Sequence, residues 1–159
     1  MQVKAHWALF LRKYLDTKFL DSDLLIQKEE KRRLYQIIDE EGEEGFKTIE
    51  NRVNASIDTE NTVIATGGSV VYCSEAMEHL KSIGKVVYLS LSLESLEKRL
   101  GNLKKRGVLL KEGQTLKSLY EERVPLYEKY ADIVVDEEGK DLEASLQALL
   151  ETLQTGVIK

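Results

Sequence analysis

The chain has one cysteine, one proline and no apolar stretch near the ~20 residues of a membrane span. Cys73 therefore has no internal partner for a disulfide. Neither histidine, His6 or His79, stands in a recognisable partner pattern, so the thiol reads as ordinary rather than nucleophilic. With Pro125 alone and no Gly/Ser/Pro-rich tract, there is no linker, repeat or low-complexity segment. The 159 residues are expected to form a single domain around one core. The run Trp7 to Leu11 is short and lies between Lys4 and Arg12-Lys13, which argues against a signal peptide and makes the cytoplasm the expected location. Basic side chains are too few for an extended polyanion surface: 23 stand against 28 acidic ones, a net charge of -5. No nucleic-acid or membrane partner is expected, although a local basic pocket remains compatible with this balance.

What is present alternates between strand and helix patterns. Trp7, Ala8, Leu11 and Leu15 give one helical face, and Asp21-Ser22-Asp23 can cap a helix through Leu24, Leu25 and Ile26. A charged segment from Glu29 to Glu44 carries Leu34, Ile37 and Ile38 at helical spacing. Gly42 marks a break before a helix from Glu43 to about Ile57. Three β-branched runs, at residues 62–66, 85–90 and 132–136, are separated by amphipathic segments, which argues for βαβ units and a parallel sheet. A helix over about 92–103 leads into a glycine-bracketed mobile lid at about 104–113, and a last helix runs from about Leu142 to Leu153. The first of the three runs stops at Gly67-Gly68. In an open α/β sheet ligands sit at the carboxyl ends of strands, where a glycine pair lets backbone approach them. The plainer alternative is a strand-to-helix turn that uses glycine for steric reasons alone.

Taken in order, Phe19-Leu20-Asp21-Ser22-Asp23, then Gly42 to Glu50, then Ala65-Thr66-Gly67-Gly68-Ser69, then Arg99 with Arg106, then Arg123-Val124-Pro125-Leu126-Tyr127 and Tyr130-Ala131-Asp132 resemble the shikimate kinase family over residues 4 to 136. The resemblance implies a P-loop-kinase-like, three-layer α/β/α sandwich with a parallel sheet. It also implies Mg2+ with ATP as co-substrate, and phosphoryl transfer to a hydroxyl of shikimate or a related small hydroxy acid. By the same resemblance, Asp21 is implied near the metal, and Asp23 holds substrate hydroxyls and orients the attacking oxygen. Gly67, Gly68 and Ser69 line the acid site, Lys47 and Arg123 meet the substrate carboxylate, and Lys4, Arg99 and Arg106 serve the nucleotide, Arg106 also balancing charge in transfer. The chemistry suits these types: a carboxylate accepts from vicinal hydroxyls and ligates magnesium, and arginine grips a carboxylate with two parallel donors. Glu50 reads as a surface helix carboxylate, because the arginine it would orient in the family is missing here.

The chain also departs from the family. No Gly-x-x-x-x-Gly-Lys-Ser/Thr occurs in it, and only Met1-Gln2-Val3 precede Lys4. The first, central strand is thus expected to be missing, leaving two open ladder edges and self-association through a sheet edge as an expectation. Lys47 stands where the family has a second arginine, Ser69 where it has a third glycine, and Gly107 where it has proline. The chain is accordingly expected to be a shikimate-kinase-like phosphotransferase by ancestry with little or no activity as written. A non-catalytic protein keeping the anionic polyol pocket, or an interaction module, are the alternatives.

Overall fold

In the computed structural model, residues 16–100 and 113–155 are described, and the chain divides between Gly84 and Lys85 into two compact units. Lys4, Arg106, the helix expected over residues 5–15 and nearly all of the expected lid lie outside the described residues.

The first unit opens with strand β1 (Lys18–Asp21), followed by helix α1 (Ser22–Glu30). Asp21 is extended and its Oδ1 accepts from the backbone N–H groups of Asp23 (2.9 Å) and Leu24 (3.2 Å), so this carboxylate starts the helix. Lys31, in the left-handed region at φ 55°, ends it. Helix α2 (Leu34–Ala55) contains a non-helical residue, Gly42 at φ 69°, which is the break read from the sequence. The bend lets both halves of α2 face one cluster: Ile37 from before it and Val53 from after it are wholly buried with Ile26, and Leu25, Leu34, Phe46 and Ile49 pack around them. Strand β2 (Thr62–Ala65) leads through a 3-10 turn (Val70–Tyr72) into helix α3 (Ser74–Ile83). β1 and β2 pair in parallel, Lys18 against Thr62 through Asp21 against Ala65.

The second unit holds β3 (Val87–Ser90), α4 (Leu93–Leu100), α5 (Leu116–Tyr130), β4 (Ile133–Asp136) and α6 (Leu142–Thr155). β3 and β4 are parallel, Val87 against Ile133 through Ser90 against Asp136. β4 buries Ile133 and Val135 and leaves Val134 49% exposed, the alternation of a strand with one covered face. Leu146 and Leu149 on α6 are buried as well, and Thr115 and Ser118 cap α5 reciprocally.

All pairing is parallel, as expected, but among the described residues it comes as two two-stranded ladders with nothing pairing β2 to β3. The first, central strand of the expected sheet is not found among them. β1 is an addition to the expected strands: only its parallel pairing to β2 makes Lys18–Asp21 a strand. No helix of the described residues is long and apolar enough to cross a membrane.

Candidate functional site

The parallel register of β1 and β2 sets Asp21 beside Ala65, so the segments that follow, Ser22-Asp23 and Thr66-Gly67-Gly68, leave the ladder at the same end. That end is the ligand-facing end of an α/β sheet. A β-carbon placed on Gly67 would stand 2.8 Å from Glu50 Oε1, 3.2 Å from Asp23 Oδ1 and 3.6 Å from Ser69 Oγ. Two carboxylate ends thus crowd Gly67, whose backbone angles do not themselves call for glycine, and Asp23, Glu50, Gly67 and Ser69 form one cluster. Ser69 Oγ donates to Glu50 Oε1 at 2.9 Å.

Glu50 corrects the sequence reading: its side chain is 0% exposed, not a surface carboxylate. A signal for this was available, because Phe46, Ile49 and Val53 place Glu50 within the apolar stripe of the second half of α2. Its neighbour Asn54 is also wholly buried and donates from Nδ2 to the Glu50 carbonyl at 2.8 Å. Cys73, buried nearby, has its thiol pushed up to about 11, first by burial and then by the charge of Glu50, with Lys47 opposing.

Lys47 is one helical turn before Glu50, yet its ammonium donates to Glu44 Oε1 at 2.7 Å and lies 5.4 Å from the centre of the Tyr72 ring. The Glu44 hydrogen bond holds its pKa above the usual lysine value. Asp21 spends Oδ1 on the α1 cap. Among the described residues no three His, Cys, Asp or Glu side chains gather as a metal cage. A single carboxylate such as that of Asp21 is a hard oxygen donor of the type magnesium takes from a protein.

The second unit carries two described candidate arginines, Arg99 and Arg123. Arg99, near the end of α4, donates from one terminal nitrogen to Glu137 Oε2 at 3.0 Å. Its other terminal nitrogen reaches the carbonyls of Glu137 (3.2 Å) and Lys140 (3.4 Å). The opposite end of α4 is tied to the same loop, since Glu138 accepts from the backbone N–H of Ser92 (3.1 Å) and from the Ser95 hydroxyl. Those bonds, Ser95's first, hold the Glu138 carboxyl below its usual range. Arg123 is half-buried on α5, two residues before Pro125. Tyr127, one helical turn beyond Arg123, stacks on Tyr88 with ring centres 5.1 Å apart.

Comparison with known proteins identifies the family. The family model described as shikimate kinase matches residues 7–154. The chain is 40% identical to the shikimate kinase of Francisella tularensis subsp. novicida (strain U112) over 133 residues, which is 81% of this chain and 76% of that protein. It is 36% identical to the shikimate kinase of Dictyoglomus turgidum over 146 residues, 89% of this chain and 85% of the relative. Among solved structures, shikimate kinase from Acinetobacter baumannii in complex with shikimate superposes with a TM-score of 0.83 at 30% identity, covering 98% of this chain and 89% of that one. The Aquifex aeolicus enzyme gives 0.80 at 32%, covering 96% and 90%. The chain belongs to the shikimate kinase family and has its P-loop-kinase-like α/β fold.

Proposed function

We propose that these residues form the acid-binding body of a cytoplasmic shikimate kinase, and that the 159-residue polypeptide takes up shikimate while transferring phosphate to it negligibly. The observation that carries the first half is the meeting of Asp23, Glu50 and Ser69 around Gly67 at the carboxyl ends of β1 and β2. The solved relative from Acinetobacter baumannii, a complex with shikimate, supports the choice of acid.

In this reading two carboxylates make a field suited to the hydroxyl edge of a polyol, which donates to them. Asp23 accepts from the attacking hydroxyl and fixes its oxygen. The amides of Gly67 and Gly68 close on the substrate where no side chain intrudes. The acid's own carboxylate needs a cation, which Lys47 supplies as a point charge once it exchanges Glu44 for the ligand. Magnesium and ATP, when bound, supply the phosphoryl group and screen its charge. Asp21 would hold the ion, Arg99 would lie against the base, and Lys4 and Arg106 would face the phosphates.

The second half rests on sequence. Residues 1–159 contain no Gly-x-x-x-x-Gly-Lys-Ser/Thr, and transfer of this class is almost entirely positioning and charge stabilisation by such a loop. Calorimetric titration of the 159-residue polypeptide with shikimate, and separately with Mg-ATP, tests both halves, together with a coupled ADP-release assay. The expected outcome is heat with shikimate, little with nucleotide and no turnover. Micromolar ATP binding or turnover would overturn the inactivity, and silence toward both ligands would leave an interaction module as the better reading.

A further inference from the structure

Ser69 occupies the third position of the turn that begins at Gly67. The backbone bond closing that turn, from the Val70 N–H to the Gly67 carbonyl, is long at 3.4 Å, well beyond the usual 2.9–3.0 Å for such a bond. The residues just beyond it are firmly held, with Tyr72 N–H on the Ser69 carbonyl at 3.0 Å and Cys73 N–H on the Val70 carbonyl at 2.8 Å. The weak point of the segment is thus the glycine pair itself. There the side chain of Ser69 reaches across to Glu50 Oε1 at 2.9 Å, the same oxygen that a β-carbon at Gly67 would meet at 2.8 Å. A carboxylate at 0% exposure has to be supported by donors, and the Ser69 hydroxyl is one of them.

We propose that Ser69 is a positioning residue: its hydroxyl, donating to buried Glu50, clamps the Gly67–Gly68 turn to helix α2 and so sets the direction of the amides that meet the substrate. The clamp joins a residue of the turn to one buried on helix α2. The inference deepens the proposed acid site and rests on that reading for its ligand.

The test uses the whole 159-residue chain with Ser69→Ala, Ser69→Gly, Glu50→Gln and the Ser69→Ala/Glu50→Gln pair. Both Ser69 variants are expected to raise the shikimate dissociation constant about tenfold, the weight of one hydrogen bond to a charged group. The pair should bind no worse than Glu50→Gln alone, because the two act as a unit. Equal affinity of Ser69→Ala and the unaltered chain, or additive losses in the pair, overturns the proposal. Amide hydrogen exchange of the ligand-free chain provides a second reading that needs no substrate. Exchange at residues 67–70 should quicken at least tenfold in Ser69→Ala while the α1–α2 core exchanges as before, whereas a merely structural defect would quicken both. If the unaltered chain takes up no shikimate, the functional reading fails by itself and exchange decides the clamp: a local rise supports it, an unchanged turn refutes it.

Discussion

Among the described residues each unit buries one glutamate, and the two are answered differently. Glu50 in the first unit meets a neutral hydroxyl, Ser69; Glu137 in the second, 6% exposed, meets the guanidinium of Arg99 at 3.0 Å. An ion pair cancels its own field and serves mainly to hold shape, here the shape of the loop joining β4 to α6. Glu50 acts on its surroundings as well, since its charge is the second cause, after burial, of the raised Cys73 pKa. Polar burial thus shapes a potential in one unit and a scaffold in the other.

The comparison can be tested from its foundations outward. The largest loss is expected from Ile26→Ala, which empties the wholly buried centre on which both halves of α2 converge. Urea unfolding should show a loss of about 3–4 kcal/mol, with shikimate affinity falling because Glu50 is no longer held in place. If Arg123 has the role that the family resemblance implies, Arg123→Lys should weaken shikimate binding by about 1–3 kcal/mol in calorimetry, as a point charge replaces a fork. Arg99→Met should cost about 1 kcal/mol of stability and leave shikimate affinity intact; a marked loss of acid binding would break the division between scaffold and potential.

Smaller still is the effect read at Cys73. Its pKa rises from 9.0 to about 11, so the folded thiol stays protonated where the unfolded one ionises. The contribution to stability is constant below pH 9 and is lost as pH rises from 9 toward 11. Alkylation rates of the native chain should climb near pH 11, and Glu50→Gln should bring that climb to lower pH. If it stays put, the field assigned to Glu50 is absent.

Three strands, the Asp21 cap and the Gly42 break could be read from the sequence because their signals are local: β-branched runs, a short acceptor before an apolar run, a glycine between two helical patterns. β1 could not, since Lys18, Phe19, Leu20 and Asp21 carry no strand signature and become one only against residues 62–65. Helix α5 was obscured by Pro125, which interrupts one rung of a ladder that the Thr115–Ser118 cap starts and the surrounding residues sustain. In the candidate site the residue types were legible, but Ser69 and Glu50 are 19 positions apart, a pairing that only tertiary packing decides.

The bend at Gly42 has an electrical consequence as well. A continuous α2 would have one positive end, at Leu34, and one negative end, at Ala55; a non-helical residue in the middle makes two shorter dipoles, and a fresh positive terminus opens beside Glu43 and Glu44. Those two carboxylates, which would be indifferent in the middle of a long helix, are attracted to the new terminus, and Glu44 is the one that holds Lys47. Replacing Gly42 with alanine would therefore do more than stiffen the backbone: a fused helix would take away the charge that settles Glu44, and with it the resting place of the lysine beside the acid site.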